Sequence, residues 1–164
     1  MSVKRLGMLI ACVLSLVLTI GLAQAGGAGS PRVMAFVSHH VLLTWVPPGG
    51  KGSSATAVRT IGSTAVLTAR FSNRSAQFGK PPGTSVGRFL LDCTVLNVPA
   101  DGLCTGIVHV PDGFFLIGGN GPFVQSPRRY AITGGVGPYA NAQGQVTITT
   151  TSQGDSVIDV VVVP

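Results

Sequence analysis

The segment Ala131–Thr147 of this 164-residue chain, AITGGVGPYANAQGQVT, constrains the fold more than any other stretch. An apolar strand-like run leads into closely spaced glycines, and a second run of β-branched residues follows them. Glycine is needed where the backbone adopts a positive φ or where a neighbouring segment leaves no room for a side chain. The segment therefore predicts strands joined by a tight structural turn, with such positions at Gly134, Gly135, Gly137 and Gly144.

The first 25 residues have the pattern of a signal peptide rather than of a folded element. Lys4 and Arg5 precede the apolar run Met8–Leu22, and Ala23-Gln24-Ala25 is an A-x-A cleavage site. An uncleaved anchoring helix is the alternative, but the run is short for a span of about 20 residues. We expect one domain over residues 26–164, secreted or periplasmic, with no stable membrane insertion after cleavage.

The remainder of the chain has almost no helical periodicity. Short β-branched runs alternate with Gly, Pro, Ser and Asp, a pattern typical of an antiparallel all-β domain. The apolar ending Val160–Val163 would be an exposed edge unless it pairs with an early strand and closes the sheet. The predicted strands are Arg32–Val46, Ala55–Ile61, Thr64–Ser72, Val86–Val98, Leu103–Val110, Phe114–Gly118, Arg128–Thr133, Gly144–Thr151 and Val157–Val163.

The glycine-rich segment resembles the T-G-G-x-G-x-Y/F-x-x-A-x-G signature of the allene oxide cyclase and dirigent barrel superfamily. Further motifs occur in that superfamily's order, in Arg70–Asn73, Gly87–Val95, Leu103–Gly106, Pro111–Gly113 and Gly119–Phe123. The resemblance implies a small closed antiparallel eight-stranded barrel with an apolar cavity, often trimeric. Within it, we interpret the glycine-rich segment as a tight structural turn in which Tyr139 packs on the end of the barrel. Plant members cyclise an unstable fatty-acid epoxide or direct phenoxy radical coupling.

The resemblance implies Asn73 and Cys93 as candidate catalytic residues. His40 is a third candidate from its position alone, because a histidine facing the lumen could polarise a ligand carbonyl or act as a weak base; the alternative is a hydrogen-bonded core residue. Asn73 matches an asparagine after the second strand of the plant cyclases, and Cys93 matches a cysteine in the middle of their barrel. The first strand here has no carboxylate, and His39 and His40 are the ionisable groups of Val33–Val46. Phe123 stands where the plant cyclases have a tyrosine near the mouth. The catalytic residues of the cyclases or of the dirigent proteins therefore cannot be assigned to this chain as a complete set.

Cys93 and Cys104 lie eleven positions apart and flank the predicted turn Asn97–Gly102. Alternate strand residues share a face, and the parity of both strands places the two cysteines in the interior. A cysteine pair in an exported protein favours a disulfide. Two buried free thiols, or a reactive Cys93, are the alternatives.

Several function classes are not indicated. The formal net charge is +6, but the basic residues are spread along the chain, without the aromatic platforms of a nucleic-acid binder. His39 and His40 point to opposite faces of a strand, and no zinc-site spacing is present, so we expect no metal and no cofactor. The glycine-rich segment lacks G-x-G-x-x-G spacing and precedes a strand, so it does not indicate a nucleotide loop.

Three functions remain open from the sequence. The leading hypothesis is a barrel that binds a small hydrophobic ligand in its lumen, because the predicted lining is apolar and no acid–base set accompanies it. The second is an isomerase or cyclase acting on an unsaturated lipid- or polyketide-like substrate, oriented by Asn73 and one histidine. The third is a non-catalytic structural barrel. The resemblance implies a homotrimer as the assembly. The predicted ligand-binding residues are Phe71, Phe89, Leu91, Val95 and Phe123.

Overall fold

The protein forms a closed barrel of eight antiparallel strands in sequence order, as the computed structural model shows for residues 30–50, 60–97, 101–122, 125–152 and 155–163. The predicted fold class is thereby confirmed. The signal peptide lies outside the described residues, as does most of the strand predicted at Ala55–Ile61, whose last residue lies in a turn. The strands are β1 (Arg32–Val46), β2 (Thr64–Asn73), β3 (Ser85–Asn97), β4 (Asp101–Val110), β5 (Gly113–Pro122), β6 (Arg128–Val136), β7 (Gln143–Thr150) and β8 (Ser156–Val163).

β8 pairs with β1, and this pairing closes the barrel. Val160 lies opposite Met34, and both are buried, while Val161 and Val163 face outward. The apolar C-terminal run therefore has no free edge on its β1 side, as its composition predicts. Within the described part of the chain, no helix is long and apolar enough to cross a membrane.

The interior is filled by side chains from alternate residues of all eight strands. The rings of Phe36 and Phe71 lie 4.5 Å apart between centroids, and those of Phe115 and Tyr139 lie 5.5 Å apart. An eight-stranded barrel is just wide enough for its own side chains to fill. The described interior is therefore a packed core, in which the strand parity matches the sequence pattern.

The glycine-rich signature closes one end of the barrel. Gly137 has a φ of 71° and begins a short 3-10 turn, Gly137–Tyr139, which lays the Tyr139 ring across the core with 1% of the residue exposed. A Cβ at Gly144 would collide with the backbone carbonyl of Val161 on β8. Both roles agree with the structural turn that the sequence predicts.

The structure contains the disulfide expected from the sequence. Cys93 and Cys104 are direct partners across β3 and β4, with their Cα atoms 4.0 Å apart and their Sγ atoms bonded. Both residues are buried. Neither position therefore has a free thiol in this structure.

Candidate functional site

The barrel wall opens into a cleft where β5 and β6 separate. Their pairing toward this end stops at Gly118 and Ala131, although β5 continues along β4 to Pro122 and β6 begins at Arg128 against β7. We call this end the mouth. The cleft between the separated strands has a volume of about 310 Å³ and is lined by Cys104, Asn120, Gly121, Pro122, Gln125, Pro127, Arg128, Arg129 and Tyr130.

Tyr130 and the disulfide border the cleft on its buried side. Tyr130 is 6% exposed, and its hydroxyl lies 4.0 Å from the Cys104 Sγ. Burial raises the pKa of Tyr130, although the nearby Arg128 guanidinium opposes this shift. The phenol therefore stays neutral at physiological pH and can donate a hydrogen bond to an oxygen of a bound molecule.

The rim of the cleft is polar and cationic. Arg128 donates a hydrogen bond from Nη2 to the Thr150 Oγ1 at 3.2 Å, which fixes its guanidinium beside the opening. Asn120, Gln125 and Arg129 supply further donors. No carboxylate or imidazole is among the cleft residues of the described chain. These residues can thus hold a small molecule with an apolar body and a hydrogen-bond acceptor.

Asn73 lies at the opposite end of the barrel from the cleft. Its Nδ2 donates to the backbone carbonyls of Gln77 at 3.0 Å and Lys80 at 3.1 Å, and the residue is 1% exposed. The side chain holds the loop between β2 and β3. Asn73 therefore sits in a structural network away from the mouth, and its proposed catalytic role stays a prediction.

Of the other candidate catalytic residues, Cys93 lies away from Asn73. Cys93 is disulfide-bonded and lies toward the mouth, opposite Ala65 near the start of β2. The His39 side chain points outward, with its Nδ1 3.0 Å from the Asp155 Oδ2. His40 lies in β1 at the register shift that follows His39, and its side chain is outside the described part of the structure.

Four of the five predicted ligand-binding residues point inward and are buried. They pack in the common core, so the described lumen at their level is occupied by protein side chains. Phe123 lies outside the described residues. Their role in ligand binding stays a prediction. The four buried members are Phe71, Phe89, Leu91 and Val95.

A charged cluster covers the end of the barrel opposite the mouth. Arg32 donates to the Asp112 Oδ2 at 2.8 Å and to the Tyr139 hydroxyl at 2.9 Å, and Tyr139 donates to the Asp112 Oδ1 at 2.8 Å. Arg32 also lies 4.7 Å above the Phe78 ring. Burial favours a higher pKa for Asp112, but the two hydrogen bonds outweigh it and hold that pKa below its usual value. This end is sealed.

Sequence reasoning missed Tyr130. The tyrosine expected near the mouth was sought at Phe123, whereas the structure supplies a buried phenol from the next strand. The available signal was Arg128-Arg129-Tyr130, an adjacent pair of cations followed by an aromatic hydroxyl. Its place in the cleft follows only from the separation of β5 and β6.

Comparison with known proteins identifies solved structures that share this fold. No family model matches the chain, and no curated protein matches it. Pyocyanin demethylase superposes with a TM-score of 0.61 at 23% identity, covering 80% of this chain and 99% of that one. A nonspecific heme-binding cyclase that catalyses a cycloaddition during neoabyssomicin biosynthesis gives 0.63 at 16% identity, covering 93% and 73%.

The pterocarpan synthase dirigent protein PsPTS1 superposes with a TM-score of 0.59 at 15% identity, covering 83% of this chain and 95% of that one. These identities are low, so the likeness concerns the fold and not the activity. The resemblance seen in the glycine-rich signature is confirmed at that level. The chain has the eight-stranded barrel fold shared by dirigent proteins and cyclase barrels.

Proposed function

We propose that this protein is an exported barrel that binds a small hydrophobic ligand in the cleft at its mouth. The observation that carries the proposal is the cleft itself, where a wall opening of about 310 Å³ borders a buried phenol and a disulfide. Its volume falls at the lower end of the range usual for ligand pockets. The signal-peptide pattern of residues 1–25 and the Cys93–Cys104 disulfide support export.

The electrostatics of the interior favour binding over acid–base catalysis. Besides its tyrosines and tryptophan, the described chain has the buried polar side chains Ser38, Ser63, Asn73 and Ser156, with no buried acid, histidine, lysine or arginine among them. General acid–base catalysis needs a positioned group with a pKa near the working pH. Tyr130, with its pKa raised, serves as a hydrogen-bond donor instead.

A cyclase acting on an unsaturated lipid- or polyketide-like substrate is the second candidate. It is favoured by Tyr130, because a ring closure within one molecule can be accelerated by holding that molecule folded and by hydrogen-bonding one of its oxygens. We expect no selectivity with a freshly generated allene oxide, since β1 lacks a carboxylate. An optically pure cyclised product would overturn that expectation and favour this second function.

Binding at the mouth can be tested with two neutral probes and two variants. N-phenyl-1-naphthylamine reports apolar binding by fluorescence, and benzophenone, whose carbonyl can accept from Tyr130, is measured by displacement. Tyr130→Phe should weaken benzophenone about 2- to 10-fold, the effect of one hydrogen bond, and leave naphthylamine unchanged. Asn120→Trp, which narrows the opening, should weaken both.

The control is Val33→Ser on the outer wall of β1, an exposed position away from the cleft, which should bind both probes as the unmodified protein does. Absence of binding by either probe, or an equal effect of all three variants, would favour the structural-barrel alternative. Native mass spectrometry of the same preparations, including protein from its own source, reports any retained ligand and tests the proposed homotrimer.

A further inference from the structure

Four cationic or titratable side chains form a row across the outer wall of the barrel. His39, Arg70, Arg88 and His109 are direct partners on the adjacent strands β1, β2, β3 and β4. Neighbouring residues in such a row lie only about 5 Å apart. The two arginines at its centre therefore concentrate positive charge on one side of the molecule.

The two arginines of this row have no acidic partner among the described residues. The ion pairs of the described chain join Arg32 to Asp112, His39 to Asp155 and Arg74 to Asp159. Like charges directly opposite each other on neighbouring strands are destabilising. Arg70 and Arg88 are such a pair, and Asp155 compensates only the His39 end of the row.

An apolar row runs beside the cationic one, displaced toward the mouth. Leu42, Thr68, Leu90 and Ile107 are successive partners across the same four strands, and Leu42 and Leu90 are 66% and 43% exposed. The register shift between His39 and Leu42 interrupts the regular pleat of β1 at this level. Exposed apolar side chains that continue across neighbouring strands mark an interaction surface, whereas single exposed apolar residues do not.

The two rows line a groove of about 720 Å³ on the outer wall. Leu90 and Ile107 also border an adjoining depression of about 410 Å³, which extends the apolar surface to Leu116 on β5. Five strands at about 4.8 Å spacing give an apolar path of roughly 19 Å. The cationic row flanks this path along one side, with its arginines on β2 and β3. An aliphatic chain whose charged end lies at these arginines can extend over Leu90 and Ile107 to Leu116.

We propose that this groove binds a free amphiphilic carboxylate, with its aliphatic chain along the leucine row and its carboxylate on Arg70 and Arg88. Arginine holds carboxylates through paired, charge-assisted hydrogen bonds, and two adjacent arginines share the anion's charge. This site is separate from the mouth cleft, with which it shares no residue.

Charge complementarity argues against a second copy of this chain as the occupant. The chain has only five acidic residues, and three already contact an arginine or histidine side chain. Of the other two, Asp92 lies on this same wall, beside the adjoining depression. The concave shape of the groove also favours a single inserted chain over a membrane surface.

The test compares a fluorescent fatty acid, parinarate, with its methyl ester, which keeps the chain and loses the charge. The unmodified protein should bind parinarate at least tenfold more tightly than the ester. The double variant R70Q/R88Q should lose that preference and retain ester binding. R74Q/K80Q, which removes the same charge outside the groove, should behave as the unmodified protein, and thermal melts confirm that all variants are folded.

Three results would overturn the proposal. Parinarate binding that responds to Asn120→Trp but not to R70Q/R88Q would place the ligand in the mouth cleft. Binding to phosphatidylglycerol vesicles that R70Q/R88Q abolishes, without binding of monomeric parinarate, would assign the row to a membrane surface. Loss of an oligomer in R70Q/R88Q, without any parinarate binding, would assign it to a contact between copies. If N-phenyl-1-naphthylamine and benzophenone do not bind at the mouth, the parinarate test of the groove is still valid, because it depends on Arg70 and Arg88.

Discussion

Removing the Cys93–Cys104 disulfide should destabilise the barrel without changing its fold. The bond joins two buried residues on paired strands and closes a loop with a sequence separation of 11. In the chain-entropy model, a loop of this length restricts the unfolded chain by about 2.8 kcal/mol at 25 °C. The native strands are already paired at this position, so removing the bond mainly increases the conformational entropy of the unfolded chain.

This free energy corresponds to a measurable change in melting temperature. An unfolding entropy of about 2.1 cal/mol/K per residue over a domain of roughly 140 residues gives about 0.3 kcal/mol/K, so 2.8 kcal/mol lowers the melting temperature by about 10 °C. Both cysteines are buried, and substitution to alanine also removes packed sulfur atoms. C93A/C104A should therefore melt slightly lower than the reduced unmodified protein.

The assay is a thermal melt followed by circular dichroism, with the unmodified protein measured with and without reductant. The reduced protein is the matched control, because it keeps both sulfur atoms and loses only the bond. A free-thiol assay in denaturant without reductant should detect no reaction at Cys93 or Cys104. A fall of less than about 3 °C on reduction, near 1 kcal/mol, would refute the entropic reasoning.

The remaining predictions concern the end of the barrel opposite the mouth. Gly144→Ala should prevent stable folding, because its φ is 138° and its Cβ would meet the Val161 carbonyl; a melt shows whether a cooperative transition survives. Burial and the hydrogen bond to Asp112 raise the pKa of Tyr139, so its stabilising contribution is full below pH 10 and declines above it; Tyr139→Phe should flatten that alkaline decline. Because the pKa of Asp112 is lowered, its contribution to the free energy of unfolding is full above pH 3.8 and is lost as the pH falls below it. In Asp112→Asn the free energy of unfolding should therefore depend less on pH in the acid range, and an equally steep dependence in that variant would contradict this assignment.

The positions of most strands could be predicted from local sequence. Alternation of apolar residues places the same side chains inward in β3 as the structure does, because the strand period of two is a local property. β5 is longer than predicted, reaching Pro122, because it pairs with β4 along its whole length. Composition at its glycine-rich end gave no sign of that pairing.

The sequence by itself determined the all-β class, the inward parity of Cys93 and Cys104, and the turn that seats Tyr139, since each depends on residues close together in the chain. Only the tertiary structure decided where β5 and β6 separate, that Tyr130 borders the resulting cleft, and that Arg70 and Arg88 lie side by side. The physical reason is register. Pairing between strands is fixed by closing the barrel around a filled core, and it brings together residues whose local sequences carry no information about one another.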